Sequence, residues 1–148
     1  MNYVLTLIII AAGAVLLFGC SGTRPANLGV KNGVLSPCPV SPNCVSTQAQ
    51  DGKHSIVPLT YTSSREEAME KLKGVISSME RAKIITATDD YIHAEFTSAL
   101  FRFKDDVEFL IDDSAKTIHF RSASRLGYSD LGVNRKRMEE IRRRFTSS

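Results

Sequence analysis

The side chains best suited to chemistry in this chain fall in two stretches. The first is residues 121–135, RSASRLGYSDLGVNR, which carries Arg121, Arg125 and Arg135 with Ser122, Ser124, Tyr128, Asp130, Asn134 and two glycines. Arg121 and Arg125 offer planar forks that suit a carboxylate or a phosphate. Gly127 and Gly132 open backbone conformations closed to other residues, and free amides at a helix start near 134–136 add affinity for an anion. The plainer local reading is that Asp130 pairs with Arg125 or Arg135 and the loop simply pins a sheet to a helix.

The second stretch, 105–108, supplies the carboxylates Asp105, Asp106 and Glu108. General acid–base work needs two carboxyl groups whose pKa values are held apart in a cleft, and no cleft is legible in sequence. His54, His93 and His119 are scattered with no metal-ligand spacing. There is no Gly-rich phosphate loop, no Ser-His-Asp order with a nucleophile elbow, and no internal repeat. A cofactor is therefore not expected.

These residues need elements to position them. Ser64-Arg65-Glu66-Glu67 is a capping box, and Ala68, Leu72, Val75, Ile76 and Met79 behind it share one helical face, so a helix is expected over about 64–82. Periodicity then switches to two. Ile92, Ala94 and Phe96 alternate with His93 and Glu95; Val107, Phe109 and Ile111 alternate with Asp106 and Glu108; Ile118 and Phe120 flank His119. Strict alternation with short turns predicts an antiparallel meander with one buried face. The other face then carries a mixed-charge ladder in which Glu95 with Arg102, and Glu108 with Arg121, can pair across strands; its default environment is solvent. Residues 54–61 read as a short strand demoted by Pro58. Asn134 can cap a final helix to about residue 144, with Val133 and Met138 as a staple and Met138, Ile141 and Phe145 as its inner face. The expected fold is α+β: an antiparallel β-sheet meander with two amphipathic helices packed on one face, in the order β-α-β-β-β-β-α.

Residues 1–19 contain no Asp, Glu, Lys or Arg, and 15 of them are apolar. The run ends Leu17-Phe18-Gly19-Cys20 and turns polar at once, which resembles a bacterial lipoprotein signal. On that resemblance Cys20 is the lipidated mature N-terminus, and several acyl chains hold a protein stably to a bilayer. The first residues lack the usual positive charge and Phe18 is bulky, so an uncleaved anchor helix is the alternative. Both place the remainder outside the cytoplasm; Ser21 rather than Asp after the cysteine favours the outer membrane, facing the periplasm, over the inner. Removing 19 residues from 148 leaves 129, which fits one domain; residues 20–36, rich in Gly, Asn, Ser and Pro, read as a flexible tether and 37–148 as the single domain. The composition excludes collagen-like, disordered and polytopic classes. In an oxidising compartment the remaining pair, Cys38 and Cys44, is a disulfide candidate; a metal site, a nucleophile or free thiols are weaker alternatives.

Charge is uneven. Residues 120–148 hold 8 basic and 3 acidic side chains, whereas everything before holds 11 and 13. For an exported protein, nucleic acid is not expected as a partner; anionic lipid headgroups, lipopolysaccharide phosphates or an acidic protein are.

Three motifs, CPVSPNCVST (38–47), DDVEF (105–109) and RSASRLGYSDLGVNRKR (121–137), resemble a bacterial family catalogued as a domain of unknown function, DUF1499, over about 37–145. The resemblance implies envelope or membrane-associated proteins and directs attention to Asp105, Asp106, Glu108, Arg121, Ser122, Ser124, Arg125, Asp130, Asn134 and Arg135 as one joint site. The resulting expectation is a lipid-anchored, non-catalytic module that captures an anionic ligand or partner through Arg121, Arg125 and Arg135. The alternative is an envelope enzyme of hydrolytic type, with Asp106 or Glu108 as base beside Arg121.

Overall fold

The computed structural model describes residues 21–147. The apolar run 1–19 and Cys20, with the signal and lipidation expected of them, lie outside the described residues.

The elements are β1 (Val30–Lys31), β2 (Val34–Leu35), β3 (Cys44–Ser46), β4 (Leu59–Thr60), α1 (Arg65–Ser77), β5 (Ala82–Ala87), β6 (Tyr91–Thr97), β7 (Lys104–Asp112), β8 (Thr117–Ser124) and α2 (Val133–Ser147). From β4 onward the order is the expected β-α-β-β-β-β-α. Strands β5 to β8 form the antiparallel meander, and β3 and β4 both pair antiparallel with the outer edge of β8. The fold is α+β.

One sheet face and the two helices make the core. Ile92, Ala94 and Phe96 from β6, Val107, Phe109 and Ile111 from β7, and Ile118 and Phe120 from β8 point to the same side. Leu72, Ile76, Met138 and Ile141 from the helices close over them with no exposed surface. Each such side chain contributes about 1.5–3 kcal/mol of transfer free energy.

Helix α1 begins as its capping box dictates: the Ser64 hydroxyl accepts from the Glu67 amide, and the Ser64 amide donates to the Glu67 carboxylate. It stops at Ser77 rather than near 82, because the Ser78 amide and hydroxyl already take the carbonyls of Gly74 and Val75. Helix α2 begins differently from expectation. Val133 is inside the helix and largely exposed, so it does not staple Met138, and Asn134 is a buried helical residue and not the cap. The cap is Asp130, whose carboxylate accepts from the amides of Gly132 and Asn134.

Two further expectations change. The strand expected over 54–61 is reduced to Leu59–Thr60, with an isolated bridge from Ser55 to Ser46; Pro58 has no amide for a ladder. Residues 21–36, expected as a tether, lie folded against the domain. They contain the hairpin of β1 and β2, turned by Asn32 (φ 53°) and Gly33 (φ 76°), the left-handed pair a two-residue hairpin turn requires. A disulfide joins Cys38 to Cys44, with Cα atoms 5.7 Å apart, and fastens the segment after this hairpin to β3.

Candidate functional site

Period-two alternation places His93 and Glu95 of β6, Asp106 and Glu108 of β7 and Arg121 of β8 on the sheet face opposite the helices. This face was expected to be solvated. It is buried: Glu108 is 0% and Asp106 1% exposed. The cover is the N-terminal segment, which crosses the sheet and donates to it.

The charges are paired with one another. Arg125, just past the end of β8, forks onto Asp106 through Nε to Oδ2 and Nη2 to Oδ1, each 2.8 Å, and its Nη2 reaches Glu95 Oε1 at 2.6 Å. His93 Nε2 lies 2.8 Å from Asp106 Oδ1. Glu95 also accepts from Arg24 (2.6 Å) and Lys104 (2.7 Å), not from Arg102, which is exposed in the β6–β7 loop. The expected pair of Glu108 and Arg121 forms, but loosely, with Nη1 3.4 Å from Oε2. Better partners of Glu108 are the Tyr91 hydroxyl (2.8 Å) and the Gly29 amide (2.6 Å), both on Oε1. Arg121 is 5% exposed, and its Nε has no hydrogen-bond partner among the described residues.

The electrostatics follow from these contacts. Burial pushes the Asp106 carboxyl up, but hydrogen bonds from Arg125 and His93 outweigh it and hold the group below its ordinary range. Glu95 behaves likewise: burial opposes ionisation, and Lys104, Arg24 and Arg125 drive the carboxyl well below that range. Arg125 is raised by its bond to Asp106, with Glu95 adding to it against burial. Desolvation and then Glu108 raise the Tyr91 phenol.

A second polar cluster lies on the helix side of the sheet. Asn134 is fully buried at its centre: its Nδ2 donates to the Asn43 carbonyl (3.1 Å), Ser124 Oγ (2.9 Å) and Asp130 Oδ2 (2.8 Å), and its Oδ1 accepts from Ser122 Oγ (2.6 Å) and Arg137 Nη1 (2.8 Å). Arg137 also pairs with Asp105 and stacks 4.8 Å over the Phe96 ring. Arg135 is apart from both clusters, donating to the carbonyls of Lys53 and Ser55 at 3.0 Å.

The ten residues expected to form one site are therefore divided by the sheet. Asp106, Glu108, Arg121 and Arg125 converge on one side; Asp105, Ser122, Ser124, Asp130 and Asn134 gather on the other; Arg135 holds the 53–55 loop. Asp130 pairs with neither Arg125 nor Arg135 but caps α2. Residues not assigned to a site from sequence are equally involved. Tyr91, His93 and Glu95 were visible on the correct face through the alternation, whereas Arg24, Gly29 and Asn43 had no such signal.

The polar face has limited chemical scope as it stands. Asp106 and Glu95 are held below their ordinary range, and every oxygen of both carboxylates already accepts from a cationic side chain, with which a substrate would have to compete. No three His, Cys, Asp or Glu side chains are gathered to hold a metal among the described residues. Nor is any described helix long and apolar enough to cross a membrane. A family model described as "Protein of unknown function (DUF1499)" matches residues 34–145, and no curated protein matches the chain.

Proposed function

Given that the chain belongs to the DUF1499 family, we propose that it is a lipid-anchored, non-catalytic binding module of the bacterial cell envelope, held through Cys20 and facing the periplasm. The observation that supports the non-catalytic reading is the internal neutralisation of the polar face. Asp106 and Glu95 share Arg125, and Glu108 takes the Gly29 amide under the N-terminal segment. A general base must reach the proton it removes, and carboxylates this enclosed do not. The enzymatic alternative, Asp106 or Glu108 as base with Arg121, is correspondingly less well supported.

The anionic-ligand reading narrows to Arg121. Arg125 is buried against Asp106 and Glu95, and Arg135 is tied through Nη2 to the carbonyls of Lys53 and Ser55, whereas Arg121 keeps an unpartnered buried Nε and a long bond to Glu108. A buried donor without a partner costs about 1–3 kcal/mol, and an oxyanion that reaches Nε would supply the missing acceptor. The test uses full-length protein extracted from its own membrane. Native mass spectrometry with an inorganic phosphate titration is expected to give a bound anion and a raised melting temperature in the wild type, both lost in R121Q. No anion and no phosphate-dependent shift overturns the ligand reading. Metabolic palmitate labelling, expected in the wild type and absent in C20S, tests the anchor separately.

A further inference from the structure

The loops at the Ser124 end of the sheet carry an apolar surface that the domain leaves uncovered. Leu100, Phe101 and Phe103 come from the β6–β7 loop, and Leu126, Tyr128 and Leu131 from the β8–α2 loop; Leu131 is 86% and Leu100 79% exposed. The two loops are neighbours, because the Arg125 amide donates to the Lys104 carbonyl at 3.0 Å. The rings of Phe101 and Phe103 stack with centroids 5.5 Å apart. Monomeric proteins rarely gather large apolar side chains this way unless the patch meets something.

The start of the described chain arrives at this same end. A Cβ added to Gly22 falls 2.9 Å from Arg125 Cβ and 3.1 Å from Leu126 Cγ, so the backbone at position 22 touches the β8–α2 loop. Two peptide units, spanning at most about 7 Å, separate Gly22 from position 20. The apolar run of the sequence ends there, and so does either form of membrane attachment that the run supports. Basic side chains flank the patch: Arg102, between the two phenylalanines in sequence, is exposed, and half of the Arg24 side chain is exposed.

We propose that this rim seats on the phospholipid leaflet that carries the attachment, with Leu100, Phe101, Phe103, Leu126, Tyr128 and Leu131 at the boundary of headgroups and acyl chains and Arg102 among headgroup phosphates. The inference rests on the proposed membrane tether, because it is the attachment beside Gly22 that names the bilayer as the occupant. Apolar and aromatic side chains with basic neighbours suit that boundary, and a tether of only two peptide units gives the domain little freedom to face another way. The sheet then stands away from the membrane, with the β7–β8 turn outermost.

The test is photolabelling of the full chain in vesicles of phosphatidylethanolamine and phosphatidylglycerol that contain a photoreactive phospholipid, with the labelled residues mapped by mass spectrometry. Labelling is expected at 100–103 and 126–131, several-fold above the exposed β7–β8 turn, 113–115, at the far end of the sheet. The variant L100S/F101S/L131S, altered only at exposed positions, is expected to lose label at 126–128 several-fold while keeping its melting temperature and its palmitate. Absence of label on the rim of palmitate-bearing wild type overturns the seat and leaves the tether standing, and a second protein copy covering the rim gives that result. Rim labelling of a wild type that carries no palmitate supports the seat and overturns the lipoprotein tether. Equal rim labelling of the variant and the wild type overturns the role given to these side chains.

Discussion

Arg125 and Asp106 meet in a two-pronged contact, both hydrogen bonds 2.8 Å, with the side chains 5% and 1% exposed. The same guanidinium holds Glu95, and the same carboxylate holds His93. Three strands and the N-terminal segment are thereby joined through charges withdrawn from water.

Removing one member of such a network is expected to cost far more than a surface pair. R125A leaves Asp106 without its main cation and weakens Glu95, which predicts a loss of about 3–5 kcal/mol. R125K keeps the charge but loses the fork and is expected to fall between the two. Urea unfolding of the three proteins measures this; an R125A loss below about 1 kcal/mol, the range of surface pairs, contradicts the structural role of the network.

The depressed pKa values of Asp106 and Glu95 set a pH dependence with a definite sign. Both carboxyls release their protons at lower pH when folded than when unfolded. Between those values the unfolded chain holds more protons, so stability rises with pH. The stabilisation is complete above about pH 5 and is lost as pH falls through about 4 and below. E95Q is expected to flatten the acid limb of a melting-temperature profile. An unchanged slope in that variant removes Glu95 from the account.

Asn134 is the hub of the helix-side cluster. N134A leaves the buried Ser122 hydroxyl without its acceptor and removes a partner of Arg137 Nη1, which predicts a loss of about 2–3 kcal/mol. N134D is expected to be worse, since Asp130 Oδ2 lies against that side chain. Denaturant midpoints of both variants give the comparison, and N134D matching or exceeding the wild type contradicts it.

The disulfide between Cys38 and Cys44 closes a short loop. Chain-entropy estimates give about 2 kcal/mol for its removal. C38S/C44S is expected to show that loss by urea unfolding, together with faster proteolysis in the segment before β3. Loss of stability without faster cleavage there removes the second part of the prediction.

Several elements were legible without coordinates because their determinants are local. The capping box at Ser64 and Glu67 with its spaced apolar residues dictates α1. Alternation across Ile92, Val107 and Phe120 fixes strands, faces and which polar residues travel together, since a period of two admits one partition of a strand. The pairing of Glu108 with Arg121 follows from it. Local signals also misled: Asn134 has the residue type of a helix cap, but Asp130 takes that role, and the buried contacts with Asn43 and Ser122 make Asn134 an interior residue.

What covers the polar face was decided by tertiary structure alone. Alternation states which side chains share a face and is silent about what lies above it. Arg24 meets Glu95 across 71 residues and Gly29 meets Glu108 across 79. Neither contact leaves a trace in periodicity or composition, because a segment docked by a few hydrogen bonds needs no apolar stripe of its own. By itself the chain determined the sheet, the helices and the two faces. Only folding decided that the charged face is interior, that Glu108 lies beneath the N-terminal segment, and that the start of the described residues and the apolar loops share one end.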